Sequence, residues 1–231
     1  MVFSFKPSLS FKSAARDADR DALARLGNSV RARLNADPAA YRLPVEGIEI
    51  WTVSDFLTGA ECRRLMTMID SVARPSPTYH GNPDGGRTSY SGDVDPHDAF
   101  IRTIQRRIDD LLGIASEFGE TLQGQRYAAG QEFKHHADYF DTAQPYWADE
   151  LRRGGQRSWT AMGYLNTVEA GGTTDFPKVG MAVPPHAGVL LVWNNMAADG
   201  RPNPRTLHAG TPVVQGVKYV VTRWYRARRW S

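Results

Sequence analysis

The texture of the chain changes near residue 120, and that change limits the folds open to it. Before it, apolar residues recur at helical spacing. After it come short β-type runs, "WTAMGYL", "GVLLVW", "TPVVQG" and "VKYVVTRWYR", separated by turn residues. Strands at this spacing after a helical half predict a mostly β barrel or jelly roll with helices packed outside. In the helical half, Leu23, Leu26, Val30 and Leu34 share one face of a helix over residues 17–34. "NADPAAYRLP" then breaks the pattern, so residues 1–44 read as a helical extension and 45–231 as the main domain.

"VEGIEIWTVSDFL" predicts a strand leading into the helix "TGAECRRLMTMIDSVA". There Thr58 and Glu61 have capping-box spacing, and Cys62, Leu65, Met66, Ile69 and Val72 form one apolar stripe. Asp98 can cap a further helix, with Phe100, Ile104, Ile108 and Leu111 inward and Gly113 ending it. Residues 74–96, rich in Pro, Gly, Ser and Asp, read as a long connection of the kind that carries function.

Of 231 residues, 41% are hydrophobic and 23% charged, which suits a soluble globular chain with a real core. Net charge is only +3. The basicity is mostly arginine, some of it in the tail "RWYRARRW", which reads as solvated charge; a nucleic-acid partner is not expected. The single cysteine, Cys62, excludes an intrachain disulfide and a multi-cysteine zinc cage. The N-terminus lacks the apolar core of a secretory signal, and no window approaches the length of a membrane span. A cytoplasmic location without membrane contact is therefore expected.

The stretch "YAAGQEFKHHADYFD" holds two of the six histidines. On a strand after the Gly130 turn, i and i+2 share a face, so His136 and Asp138 point together and His135 points away. On a helix His136 and Asp138 would lie about 200° apart. A metal needs a third ligand from elsewhere. His80 and His97 lie in polar loops, His186 in a turn, and His208 begins a strand-like run. Two imidazoles and one carboxylate leave three octahedral positions open, which suits non-haem Fe(II) and oxygen chemistry. Alternation also puts Lys218, Val220, Thr222 and Trp224 on one strand face. If that face is inward, the ammonium needs an anion, and no acid follows Asp199. Parity alone also leaves an outward, solvated Lys218 open.

From residue 48 onward the chain resembles the prolyl 4-hydroxylase branch of the Fe(II)/2-oxoglutarate dioxygenases. The resemblance is carried in order by "DFLTGAEC", "GRTSYSG", "RYAAGQEFKHHADYF", "YLNTVEAGGTTDFP", "GVLLVWNN", "DGRPNPRTLHAGTPVVQGVKY" and "TRWYR". It implies a double-stranded β-helix supported by N-terminal helices, with a catalytic core over about residues 118–229. It also implies Fe(II) held by His136, Asp138 and His208, and Lys218 binding the distal carboxylate of 2-oxoglutarate. Tyr127 matches a tyrosine that reaches the co-substrate; Thr160 and Trp224 match residues lining the same pocket. Arg87 matches the loop that folds over a peptide substrate. Phe133 stands where many members have tyrosine, and His135 where many have proline. The implied activity is hydroxylation of a prolyl residue in a peptide or protein, using O2 and releasing succinate and CO2, with ascorbate dependence. Hydroxylation of a free amino acid or other small molecule is the alternative, and a non-catalytic metal-binding jelly roll a further one.

Overall fold

A computed structural model describes residues 10–76 and 86–230, with side chains from residue 19 onward. The centre of the 74–96 connection, including His80, thus lies outside the described residues. Three helices come from the first half: α1 (Ser10–Ala36), α2 (Gly59–Val72) and α3 (Ala99–Leu112). Between them lie short strands: β1 (Ala40–Arg42), β2 (Ile50–Val53), β3 (Arg74–Pro75) and β4 (Tyr90–Asp93). The 74–96 connection is therefore partly built into a sheet by its ends.

The second half supplies β5 (Gln123–Tyr127), β6 (Phe133–His136), a short α4 (Trp147–Arg152) and β7 (Arg157–Tyr164). Then come β8 (Ala170–Gly171), β9 (Thr174–Phe176), β10 (Met181–Val183) and β11 (Leu190–Asn194). The chain ends with β12 (His208–Gly210), β13 (Val213–Gln215) and β14 (Lys218–Arg226). Eight strands form one sheet in the order β1-β2-β11-β7-β14-β5-β4-β3. A smaller sheet, β10-β9-β12-β6, faces it, and β8 pairs with β13. All pairings of these strands are antiparallel, and the result is a jelly roll.

The helices form because their ends are satisfied. Thr58 accepts from the Glu61 amide at 3.2 Å and Glu61 accepts from the Thr58 amide at 2.8 Å, closing the expected capping box. Asp98 accepts from the amides of Phe100 and Ile101, and Gly113 ends α3 in the left-handed region at φ 66°. The inward stripe of α3 is rotated from expectation. Ile101, Ile104, Ile108 and Leu112 are buried, while Phe100 and Leu111 flank them half-buried. Phe100 stays at the rim because the Arg64 guanidinium covers its ring at 4.2 Å. In α1, Leu23, Val30 and Leu34 are buried, and Arg33 caps the end of α3 through the Asp110 carbonyl at 2.6 Å.

Strand alternation sorts the core into two layers. Trp51, Val53, Trp159, Ala161, Leu190, Val192, Val221 and Tyr225 face the helices. Ile50, Tyr127, Met162, Tyr164, Leu191, Trp193 and Val220 face the small sheet. On the helix side, Arg223 pairs with Asp109 at 2.9 Å, and the Tyr225 hydroxyl donates to the same carboxylate at 2.6 Å. This buried ion pair joins α3 to β14, and its carboxylate is saturated with donors. The tail arginines are engaged within the chain: Arg226 with Glu150, Arg228 with the Leu151 carbonyl and Arg229 with Glu117. Among the described residues, no helix is long and apolar enough to cross a membrane.

Helix α2 lies on β4 and β5 where two glycines, Gly92 and Gly124, pair across the strands. A Cβ on Gly124 would lie 2.3 Å from Ile69 Cγ1, so side chains there would push the helix off the sheet. Gly124→Ala should cost about 1–3 kcal/mol, the usual penalty of overpacking. Urea unfolding measures it, and adding Ile69→Ala should make Gly124→Ala less costly than it is alone.

Candidate metal centre

The site is built where the small sheet brings β12 against β6. In this register His208 is the partner of His136, so two imidazoles meet across a strand pair. Asp138 follows His136 by two residues, in a bend just past the end of β6. The i, i+2 relation survives although the strand stops at His136. His136 Nε2 lies 3.8 Å from Asp138 Oδ1, and His208 Nε2 lies 3.8 Å from Asp138 Oδ2. One donor atom from each residue lies within 4.8 Å of the others. His135 points away, exposed, with its Nε2 3.9 Å from Asp175.

Both imidazoles are oriented in the same way. His136 Nδ1 lies 2.8 Å from the Lys134 carbonyl, and His208 Nδ1 lies 2.9 Å from the Thr206 carbonyl. A carbonyl accepts only, so each ring carries its proton on Nδ1 and turns the Nε2 lone pair toward the other ligands. Burial, then the neighbouring His208, pushes His136 down to about 3, against the pull of Asp138. Burial opposes ionisation of Asp138, yet His208 and His136 hold its pKa below the usual carboxylate value. A neutral imidazole at His136 and an ionised carboxylate at Asp138 are forms a divalent cation requires. Two nitrogens and one carboxylate fit Fe(II) with open positions.

Aromatic rings confine the imidazoles. Phe133 stacks on His136 with centroids 3.5 Å apart, and Trp193 meets His208 edge-on at 5.0 Å. Arg87 lies over Phe133 at 4.7 Å and donates to Ser89 Oγ at 2.8 Å. It therefore stands at the rim, one ring removed from His136.

A narrow cavity runs from the triad to Lys218, lined also by Gln125, Tyr127, Met162, Thr174, Trp193 and Trp224. The inward face of β14 is the one carrying Lys218, so the question left open by parity is decided. Lys218 is buried, its Nζ 5.5 and 5.6 Å from the Tyr127 and Tyr164 ring centres. Burial pushes the ammonium down to about 7, and no carboxylate among the described residues pairs with it. Tyr127 is its cross-strand partner and donates to Gln125 Oε1 at 2.7 Å. Gln125 in turn donates to Thr222 at 3.2 Å.

Thr160, expected against the co-substrate, does not line this cavity. Its hydroxyl instead donates to Asp138 Oδ2 at 2.7 Å, from behind the carboxylate. Trp224 does line the cavity, and its indole Nε1 is buried without a partner among the described residues. Its other side borders a second cavity of about 330 Å³, with Asp93, Glu120, Gln123, Arg153, Arg226 and Trp230 in the walls. There burial works against the Glu120 charge, but Arg157 at 2.6 and 2.7 Å, with Arg226, keeps its pKa below the ordinary value.

Sequence reasoning missed Gln125 and Asn195 as site residues. Gln125 was within reach of parity, two residues before Tyr127 on the same face. Asn195 lies beyond β11 and approaches through Thr160, which no local pattern announces.

The profile of the 2OG-Fe(II) oxygenase superfamily matches residues 122–226. Probable prolyl 4-hydroxylase 3 of Arabidopsis thaliana is 31% identical, over 94% of this chain and 79% of that protein. Prolyl 4-hydroxylase 5 of the same plant is 33% identical, over 77% of this chain and 68% of its own. Among solved structures, the viral collagen prolyl hydroxylase of Paramecium Bursaria Chlorella virus-1, in its 2OG complex, aligns with TM-score 0.61. It is 27% identical, over 77% of this chain and 95% of its own.

The geometry separates ligands from bystander. Alanine at His136, Asp138 or His208 should weaken Co(II) binding, read by calorimetry, by more than the ~10–100-fold that loss of an outer-shell partner costs. His135→Ala should leave binding within about twofold, since its imidazole points away from the donor set.

Proposed function

The chain belongs to the prolyl 4-hydroxylases of the 2OG-Fe(II) oxygenase superfamily, and on that premise we propose that it hydroxylates a prolyl residue within a peptide or protein. His136, Asp138 and His208 would hold Fe(II). Bound there, the ion supplies the O2 chemistry: one oxygen atom goes to 2-oxoglutarate, giving succinate and CO2, and the other to a substrate C–H bond.

The observation that carries this reading is the buried Lys218, in the same cavity as the triad and met by no carboxylate among the described residues. A lone ammonium in an apolar wall is costly unless an anion meets it. The distal carboxylate of 2-oxoglutarate is that anion. Tyr127, beside Lys218, can turn its hydroxyl from Gln125 to the same carboxylate. Met162, Trp193 and Val220 supply apolar wall between Lys218 and the triad, which disfavours water there. Arg87, over Phe133 at the rim, is placed to meet a peptide before its prolyl side chain reaches the metal. Ascorbate as reductant belongs to the same proposal by family likeness, and a cytoplasmic location suits the single cysteine.

Lys218 gives the co-substrate a pH signature. Free, the ammonium titrates near 7; a bound carboxylate raises its pKa, so binding above pH 7 takes up a proton. Affinity for 2-oxoglutarate should therefore fall as pH rises from 7, toward tenfold per unit. Calorimetry on the Mn(II) protein at pH 8, in two buffers of different ionisation enthalpy, should show uptake approaching one proton. Lys218→Met should abolish that uptake and cost about 2–5 kcal/mol in binding. Unchanged affinity in this variant would place the anchor elsewhere.

Substrate class is tested by succinate release with Fe(II), 2-oxoglutarate and ascorbate, followed by mass spectrometry of the acceptor. A proline-containing peptide should gain one oxygen, and Arg87→Ala should weaken peptide use while leaving uncoupled 2-oxoglutarate turnover nearly intact. Oxygen gained by free proline, with none on any peptide, would establish the small-molecule alternative instead.

A further inference from the structure

We propose that Asn195 and Thr160 form a positioning relay that fixes the rotation of the Asp138 carboxylate and leaves Oδ1 alone to the metal. The inference rests on the reading of the triad as an Fe(II) site. Its three members are buried: Thr160 and Asn195 fully, Asp138 almost so. Asn195 Nδ2 donates to Thr160 Oγ1 at 2.9 Å, and Thr160 Oγ1 donates to Asp138 Oδ2 at 2.7 Å.

The direction of these bonds is forced by chemistry. An ionised carboxylate only accepts, so the single hydroxyl proton of Thr160 must go to Asp138. Thr160 Oγ1 can then only accept from the third member, so Asn195 must present its amide N–H. That settles which way the amide is turned. The chain runs one way, amide to hydroxyl to carboxylate, and cannot reverse while Asp138 is charged. Asn195 is itself pinned: its backbone amide donates to the Ser158 carbonyl at 2.8 Å, and its carbonyl accepts from Asn203 at 2.9 Å. Its side-chain Oδ1 is buried without a partner among the described residues. A packed interior rarely tolerates such a group, and one retained beside a metal triad points to a use for the other end of the amide.

The use is visible at Asp138. Its two oxygens stand at the same 3.8 Å from the two imidazole nitrogens, Oδ1 from His136 and Oδ2 from His208. Nothing within the triad itself prefers one oxygen to two. Thr160 breaks the tie, because a charge-assisted hydrogen bond draws electron density from Oδ2 and holds the carboxylate plane. An Asp138 that binds through one oxygen keeps three octahedral positions free, enough for a bidentate co-substrate and O2. Through two oxygens it would leave only two.

Co(II), bound to the purified full chain without co-substrate, tests the relay through affinity and through its d–d absorption, which follows coordination. Thr160→Val removes the proton and keeps the shape. It should lower Co(II) affinity roughly 10–100-fold, as loss of an outer-shell partner does, and change the absorption bands. Thr160→Ser should restore both, and Asn195→Ala should move both in the direction of Thr160→Val by a smaller amount. A purely structural role would lower the melting temperature and leave the spectrum alone. Wild-type spectrum and affinity in Thr160→Val overturn the relay. Should that variant not fold, Asn195→Ala decides by the same spectrum, an unchanged one overturning the proposal. Failure of the wild-type protein to bind Co(II) is a different result: it removes the metal reading and the relay together.

Discussion

Everything at the centre of this molecule depends on the two-residue alternation of β14 between β5 and β7. One face of that strand turns Val221, Arg223 and Tyr225 toward the helices, and the other turns Lys218, Val220, Thr222 and Trp224 toward the small sheet. The Arg223–Asp109 pair clamps the first face to α3, so the second face has no freedom to slip. A slip of one residue would turn Arg223 toward the small sheet and Lys218 toward the helices, each against the wrong partners. Structural and chemical demands thus share a single strand and are separated only by parity.

Much of this was legible because it is local. Thr58 and Glu61 announce the start of α2, Asp98 and Gly113 bracket α3, and the His136–Asp138 spacing follows from pleat geometry. What was not legible depends on distant neighbours. The inward face of α3 could not be placed to one residue, since Phe100 and Ile101 are both apolar and only the position of Arg64 decides between them. Nothing in the residues around His208 says that β12 will pair with β6 in a register that opposes it to His136; family resemblance supplied that ligand. Family resemblance marked Thr160 as a pocket residue, but its hydroxyl reaches behind Asp138 rather than into the cavity. The connection over residues 74–96 hid β3 and β4, because β4 pairs with the distant β5 and β3 pairs with β4.

The charges around the cavity fall into two kinds. Glu120, Arg157, Arg226 and Glu150 form a largely buried network in which each acid meets a base. Such a network is rigid, because loosening any member exposes another to an apolar surrounding. It sits beside Trp224 and holds one wall still. Lys218 is the opposite kind, a buried cation that no carboxylate among the described residues meets. A site that combines a satisfied wall with an unsatisfied one tells its occupant where to put its charge.

The strand β1 lies along the outer edge of β2, and α1 covers the end of α3, although both lie upstream of the family's matched segment. β2 itself carries Ile50, Trp51 and Val53 into both core layers. A fragment trimmed to residues 122–226 would end the large sheet at an unpaired β11 and strip the roof from Trp159. Raw sheet edges of that kind recruit other chains. For this protein, then, the segment that the family profile matches has the outer edge of β11 and the helix-side core around Trp159 covered by residues that precede it.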